Sequence, residues 1–333
     1  MPQPAVTAVI LNWNNAPATR ACLRSLAALD YDNLSILVVD NASSDGSADE
    51  LALDGRVELI RNGANLGFTG GANTGIRHAM RRRPDFVWLV NSDAVAAPQV
   101  LRQLVDAAAR DNRAGLLSPV FHDPESGRPE WLASRFDPVA RIATQTDDPV
   151  TAAEWCQHFP AQIVLLGTAL LISRSVIETI GELDEQFFAY VEDVDYSLRA
   201  TAAGFRNVIV PDAEVGHAFK RPVEDPGAVP PYLHYYITRN YLLLWRKLPG
   251  RVLLNKAALW LLRQRLLQLS RMRNNPAATE ALLSGLWDGV RGIGGQYDPA
   301  RRMPAVPRLL LSRRPDLWLN LIDGRRPRMG AAR

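Results

Sequence analysis

The stretch Phe86 to Val95, FVWLVNSDAV, constrains the fold most, because a wholly apolar run stops abruptly at Asn91, Ser92 and Asp93. Phe, Val, Trp, Leu and Val without polar alternation form the pattern of a strand buried on both faces, as found inside a parallel α/β sheet. Ligands of open α/β sheets bind outside the carboxyl ends of the strands, and a carboxylate placed there can hold a hard cation against a phosphate. Read alone, Asn91-Ser92-Asp93 is equally a polar turn that ends a strand. Its neighbours in sequence decide between the two.

VTAVILN (6–12) is a second apolar run, followed by the polar turn Asn12-Trp13-Asn14-Asn15 and by Cys22, Leu23, Leu26 and Leu29 at helical spacing between Pro17 and Leu29. A buried strand over 34–39 then leads through Asp40, Asn41 and a Ser/Asp/Gly-rich turn to a helix over Ala48–Leu53. VELIRN (57–62) predicts a third strand, and Pro98 to Arg110 the helix after FVWLV. Strands alternating with helices imply a mostly parallel sheet with right-handed crossovers. Residues 122–160, rich in Pro, Asp and aromatic residues but poor in periodicity, are expected as a long excursion of the kind that covers a site. Beyond them the pattern predicts a strand or strand pair and a helix over 163–181, a helix over Val191–Ala203, a closing strand pair over 208–219, and a linker from Pro222 to Pro231. The expected division is 1–231, a catalytic α/β domain, and 232–333, a basic amphipathic helical region.

A chain of 333 residues exceeds the usual growth of one hydrophobic core. The net charge of +3 conceals an asymmetry: 20 Lys plus Arg face 30 Asp plus Glu through residue 240, and 18 face 5 from residue 241 on. Cys22 and Cys156 are the only cysteines, too few for a disulfide framework or a cysteine metal site. Both are expected as buried small hydrophobes in a reducing compartment. The N-terminal MPQPAVTAVILNW runs straight into the first strand without a basic flank, so a cytoplasmic protein is expected.

Four constellations carry chemistry. Asp40, at a strand end, can accept hydrogen bonds from a nucleobase imide or a ribose hydroxyl, or it can cap the next helix. NLGFTGGANTG, Asn65 to Gly75, reads as a loop whose glycines permit positive φ and close approach to phosphates. No Gly-Lys-Ser/Thr follows it, which argues against an ATPase. Asp93, supported by Asn91, is the third. Glu192-Asp193-Val194-Asp195 is the fourth, three acids at a helix start, where the dipole favours them. Phe187, Phe188 and Tyr190 supply a semi-apolar wall before them, a setting that raises a carboxylate's basicity. His217 adds an imidazole that could join Asp93 as a ligand.

VTAVILNWNN, VVDNASSDGS, NLGFTGGANTGI, VWLVNSDAV, GTALLISR, DEQFFAYVEDVDYSLR and VGHAF, in this order over roughly residues 5 to 245, resemble the family 2 inverting glycosyltransferases of the GT-A fold, and within them the bacterial rhamnosyltransferase-like enzymes. The resemblance implies a nucleotide-diphosphate sugar donor, dTDP-rhamnose or a UDP-sugar, and Mg²⁺ or Mn²⁺. It implies that Asp40 contacts the nucleobase and that Asn12, Asn65, Gly67, Gly71 and Asn91 shape the donor site. Asp93 and His217 would then bind the metal, Asp193 would be the catalytic base, and Glu192 and Asp195 would orient the acceptor or the helix. The acceptor class it implies is a lipid-linked or cell-envelope glycan. Asn-Ser-Asp replaces the Asp-x-Asp of many relatives, so either metal affinity would be weak or the ion would be held chiefly through substrate phosphates. The Gln-x-x-Arg-Trp pattern of processive synthases is absent, which favours a single addition. Two other classes compete: a non-catalytic nucleotide-sugar or glycan-binding module, and a sugar-1-phosphate nucleotidyltransferase, whose Gly-rich, Arg-containing loop is missing after the first strand.

From Tyr232 onward Leu, Trp and Tyr interleave with Arg and Lys. No stretch reaches the roughly 18 to 20 apolar residues that span a bilayer. Leu259, Leu262, Leu266 and Leu269 fall on one helical face, as in an interfacial helix. Each basic residue near an anionic surface contributes about 1 kcal/mol. A peripheral position at the inner face of the cytoplasmic membrane is therefore expected, with a packed helical pair as the competing reading and nucleic acid disfavoured by the acidic first 240 residues.

Overall fold

The computed structural model describes residues 3–53, 55–217, 229–249, 256–272, 274–313, 315 and 318–319. They divide into two compact units, one within Met1–Asp137 and Ala143–Phe219, the other within Pro138–Ile142 and Lys220–Arg333.

The first unit begins β1 (Val6–Asn12), α1 (Ala16–Ala27), β2 (Leu34–Asp40), α2 (Ser47–Ala52), β3 (Glu58–Arg61), α3 (Gly67–Met80), β4 (Phe86–Asn91), β5 (Val95–Ala96), α4 (Val100–Arg110) and β6 (Ala114–His122). It continues β7 (Pro129–Trp131), β8 (Ala133–Asp137), β9 (Ile142–Thr146), α5 (Pro149–His158), β10 (Ala169–Ser173), α6 (Arg174–Ile180), α7 (Glu192–Ala202) and β11 (Arg206–Gly216). The main sheet runs β3-β2-β1-β4-β10-β6-β11-β5, with β7 on β6. Strands β3, β2, β1 and β4 are parallel, as the strand–helix alternation requires. Further along the sheet is mixed: β10 is antiparallel to both β4 and β6, while β11 runs parallel to β6. Val87 to Val90 are all buried, so the apolar run is covered on both faces.

Register places the site. Asn12 pairs with Asp40 across β1 and β2, and Leu11 with Asn91 across β1 and β4, so the three polar strand ends share one carboxyl edge. On β11, Gly216 lies opposite His122 and Val95, which brings His217 to that edge as well.

Three expectations change here. The segment over 122–160 is not an irregular excursion: it holds β7, the β8–β9 pair and α5. Its strands are three to five residues long, and α5 buries only Ala152, so neither could show a periodicity. The local signal was Asp148-Pro149, where the Asp148 carboxylate caps α5 by accepting the Thr151 N–H at 2.8 Å. The closing strand pair is one eleven-residue strand whose register breaks between Val210 and Glu214. Pro211 has no N–H to give the ladder, so the chain bulges there and resumes pairing. Residues 218 and 219, and 222–228 of the expected linker, lie outside the described residues. Cys156 is exposed; only Cys22 is buried, its thiol pushed up to about 12 by burial and then by the charge of Asp93.

The second unit comprises α8 (Pro231–Lys247), α9 (Lys256–Arg271), α10 (Pro276–Arg291) and α11 (Ala305–Arg313). Leu242, Trp245, Leu266, Leu269, Leu282 and Leu286 form its core. Leu266 and Leu269, expected on a lipid-facing stripe, are therefore packed among helices, Leu262 lies against the same core, and Leu259 alone of the four is exposed. A stripe of that width suits a helical core as well as an interface, and neighbours of matching shape captured it. The basic side chains are partly internal too. Burial draws the Arg265 guanidinium down to about 10. No helix among the described residues is long and apolar enough to cross a membrane.

Candidate active site

At the β1–β2 end the polar residues satisfy one another. Asn12, fully buried, donates from Nδ2 to Asp40 Oδ1 at 2.8 Å, to Ser47 Oγ at 2.9 Å and to Ser43 Oγ at 3.1 Å, and its Oδ1 accepts the Thr19 hydroxyl at 2.6 Å. Asp40 accepts the Ser43 N–H at 3.0 Å on its other oxygen. It does not cap α2, whose N-cap is Gly46. Asn12 thus shapes this edge from beneath, and Asp40 keeps only the remaining lone pairs of each oxygen for a ligand. Trp13, in the turn directly above, is more than half exposed. An exposed indole amid asparagines was the available signal for a surface on which a ring can lie, and the motif reading passed over it.

Asn41 is the second residue that sequence reasoning left out. Its Nδ2 donates to Asn65 Oδ1 and to the Gly67 carbonyl, both at 3.0 Å, and its Oδ1 accepts Asn62 Nδ2 at 3.0 Å and the Leu66 N–H at 3.1 Å. Asn65 Oδ1 also accepts the Gly67 N–H at 2.9 Å. The expected glycine loop is therefore confined to residues before Gly67, and the remaining glycines lie inside α3. Gly67 takes φ +74°, where glycine is at ease. Gly71 does not open a donor pocket: a Cβ there would collide with Leu11 of β1, so its role is close helix–sheet packing.

Asp93 lies past β4 with its side chain 57% exposed, and its Oδ1 stands 3.2 Å from His217 Nε2. Asn91 anchors the segment through its backbone, its N–H donating to Thr168 O at 2.8 Å while its carbonyl accepts the Ala94 N–H at 3.1 Å. A carboxylate oxygen and an imidazole nitrogen this close are a donor pair of the kind a divalent ion such as Mn²⁺ can share, the nitrogen suiting Mg²⁺ less. Among the described residues no group of three His, Cys, Asp or Glu side chains gathers to hold an ion.

α7 carries the acidic cluster. Asp193 Oδ1 accepts the Val194 N–H at 2.8 Å, and its Oδ2 accepts the Gly167 N–H at 3.2 Å. Burial raises its carboxyl above the usual range, and these amides pull in the opposite direction without cancelling it. Glu192 is raised further, by burial and then by the charge of Asp193, and its Oε2 is a buried oxygen without a hydrogen bond. Asp195 instead pairs with Arg199 at 2.9 Å, whose guanidinium also donates to the carbonyls of Ile180 and Glu182. Asp195 is thereby tied, through Arg199, to the chain that precedes α7. The entry is strained: Phe188, Tyr190 and Val191 all have positive φ, 63°, 68° and 71°. Such residues cost about 1–3 kcal/mol each and concentrate at functional sites. Gly167 and Thr168 join the two halves, one holding Asp193 and the other the end of β4.

Residues 7–181 match the family described as Glycosyl transferase family 2. The N-acetylglucosaminyl-diphospho-decaprenol L-rhamnosyltransferase of Mycobacterium tuberculosis is 30% identical over 229 residues, 63% of this chain and 74% of that protein. The dTDP-rhamnosyl transferase RfbF of Shigella flexneri is 26% identical over 302 residues, 88% of this chain and 98% of that protein. Among solved structures, the mannosyltransferase PcManGT from Pyrobaculum calidifontis in complex with GDP-Man and Mn²⁺ superposes with a TM-score of 0.54 at 20% identity, covering 97% of this chain and 85% of that one. GalNAc-T7 with UDP, GalNAc and Mn²⁺ gives 0.56 at 16% identity over 73% of this chain and 48% of that one.

Proposed function

The chain belongs to glycosyl transferase family 2 and is a glycosyltransferase of the GT-A fold, and from that premise we propose that it moves one sugar, rhamnose from dTDP-rhamnose, with inversion to a hydroxyl of a lipid-linked or cell-envelope glycan. The observation that carries this reading is the Gly167–Thr168 bridge. It ties the segment bearing Asp93 to the carboxylate of Asp193, as a displacement with a base on one side and a leaving group on the other requires. The choice of sugar leans on the two relatives named above, both named as rhamnosyltransferases.

In this mechanism Asp193 accepts the proton of the attacking hydroxyl. Its raised basicity brings it closer to the operating pH, and the Gly167 and Val194 N–H groups hold its two oxygens in place. A single in-line displacement inverts the anomeric carbon. Asp93 and His217 would hold Mg²⁺ or Mn²⁺, which when bound neutralises charge developing on the diphosphate. Asp40 accepts from the nucleobase with its remaining lone pairs, above the Asn12 network. Asn41, Asn65 and Gly67 fix the loop that lines the donor. The exposed Leu259 and Trp260 of the second unit, with the basic residues around them, support peripheral association with an anionic membrane surface on the cytoplasmic side.

Calorimetric titration with dTDP, UDP and GDP, with and without Mn²⁺, tests the donor assignment. Tight binding of dTDP that needs Mn²⁺ and is lost in Asp93→Ala is the expected outcome. Preference for another nucleotide overturns the choice of donor, and a folded protein that binds none of them overturns the assignment of this edge as the donor site.

A further inference from the structure

α3 carries Thr69, Asn73 and Arg77 at intervals of four, so all three lie on one helical face. That face grips the chain on its way into α7. Arg77 Nη1 pairs with Glu182 at 2.6 Å and reaches Glu185 at 3.5 Å. Asn73 donates from Nδ2 to the Leu183 carbonyl at 2.9 Å and to Glu185 at 3.0 Å, and its Oδ1 accepts the Leu183 N–H at 3.1 Å. Thr69 donates twice to the Phe188 carbonyl, from its N–H at 3.1 Å and from its hydroxyl at 3.3 Å. Gly67 closes the series, since a Cβ on it would stand 2.6 Å from the Phe188 ring.

Just beyond this grip come the left-handed residues Phe188, Tyr190 and Val191, and then Glu192 and Asp193. A strained turn holds its shape only where its surroundings over-determine it. Here the determination comes from a helix that also begins at the loop assigned to the donor. We infer that Thr69 and Asn73 are positioning residues of the transfer reaction: they hold the 183–188 strap so that the strained turn delivers Asp193 to the Gly167 N–H and to the acceptor. The inference rests on the reading of Asp193 as the base. Thr69 and Asn73 are themselves buried and touch no substrate in this scheme.

An anchor that served only stability would lower melting temperature, donor binding and turnover together. A positioning role separates them. Thr69→Val keeps shape and backbone N–H and removes only the hydroxyl donor, whereas Thr69→Ser restores it. With dTDP-rhamnose and a synthetic N-acetylglucosaminyl-diphospho-lipid as the assayed pair, Thr69→Val is expected to lower kcat about tenfold with the donor KM within about twofold. Thr69→Ser should return to within about threefold of the parent. Unchanged kcat in Thr69→Val, or equal losses in kcat and donor binding, overturns the inference. Amide hydrogen exchange provides a readout that needs no acceptor: exchange over 186–195 should rise in Thr69→Val while exchange over 34–45 stays fixed. Identical exchange in variant and parent overturns the coupling whatever the substrates prove to be. Should Thr69→Val not fold, the exposed Arg77→Ala takes its place, and faster exchange over 182–195 is expected, with no change overturning the grip. Full activity in Asp193→Asn, by contrast, removes the base assignment and leaves the strap measurement standing.

Discussion

Asp40 ends β2 and Asp93 lies just past β4, the two strands that flank β1, on the same edge of the same sheet, yet one is nearly buried and the other open. Asp40 is 2% exposed and receives the Asn12 amide and the Ser43 N–H. The Asp93 side chain is 57% exposed and faces His217. The chain that follows makes the difference. After Asp40 a Ser-rich turn folds back over the carboxylate, whereas after Asp93 the short β5 leads away and the far end of β11 arrives instead. A strand-end carboxylate thus keeps for a ligand only the lone pairs its own fold leaves over, few at Asp40 and more at Asp93, according to which donors are delivered to it.

The comparison can be broken or sharpened by substitution. The largest effect belongs to Asp193→Asn, which should lower turnover by about 10²–10⁴-fold, the usual contribution of a general base, with nucleotide binding retained; steady-state kinetics beside calorimetry checks this. Asp40→Ala comes next. It leaves the buried Asn12 Nδ2 short of its charged partner and should destabilise the fold by about 1–3 kcal/mol in denaturant titrations. Glu192→Gln should act in the opposite direction. Burial raises the Glu192 carboxyl in the folded chain, so the native state keeps a proton that the unfolded state releases from about pH 4.5 upward. Stability from that group is complete below that pH and is lost as pH rises through the folded value. The Gln variant should therefore match the parent in acid and melt higher, by roughly a few degrees, at pH 8. Asp93→Ala should change stability least, within about 0.5 kcal/mol, because an exposed side chain is removed. A loss there as large as that of Asp40→Ala would erase the distinction between the two carboxylates.

Much of this was legible in the chain. Three buried strands, β1, β2 and β4, and the acids at the ends of β2 and β4 follow from mostly apolar runs closed by polar turns, because a strand covered on both faces has no freedom to alternate. The 122–160 region was not legible: its strands are too short and its helix too exposed to carry a period. The glycines of NLGFTGGANTG misled for a physical reason. Glycine serves both a positive φ and a close helix–strand contact, and composition cannot separate Gly67, which needs the first, from Gly71, which needs the second.

The acids show the same limit. The sequence by itself determined that carboxylates would stand at strand ends and in the first turn of α7, because period and dipole are local properties. Only the tertiary structure decided which of them is satisfied, which faces an imidazole and which is buried beside another. Those outcomes depend on donors from far along the chain, such as the Gly167 amide on Asp193, 26 residues away, and His217 beside Asp93. No local pattern encodes which distant group will reach a given carboxylate; packing does, by bringing β11 and the 167–168 peptide to the edge where β4 ends.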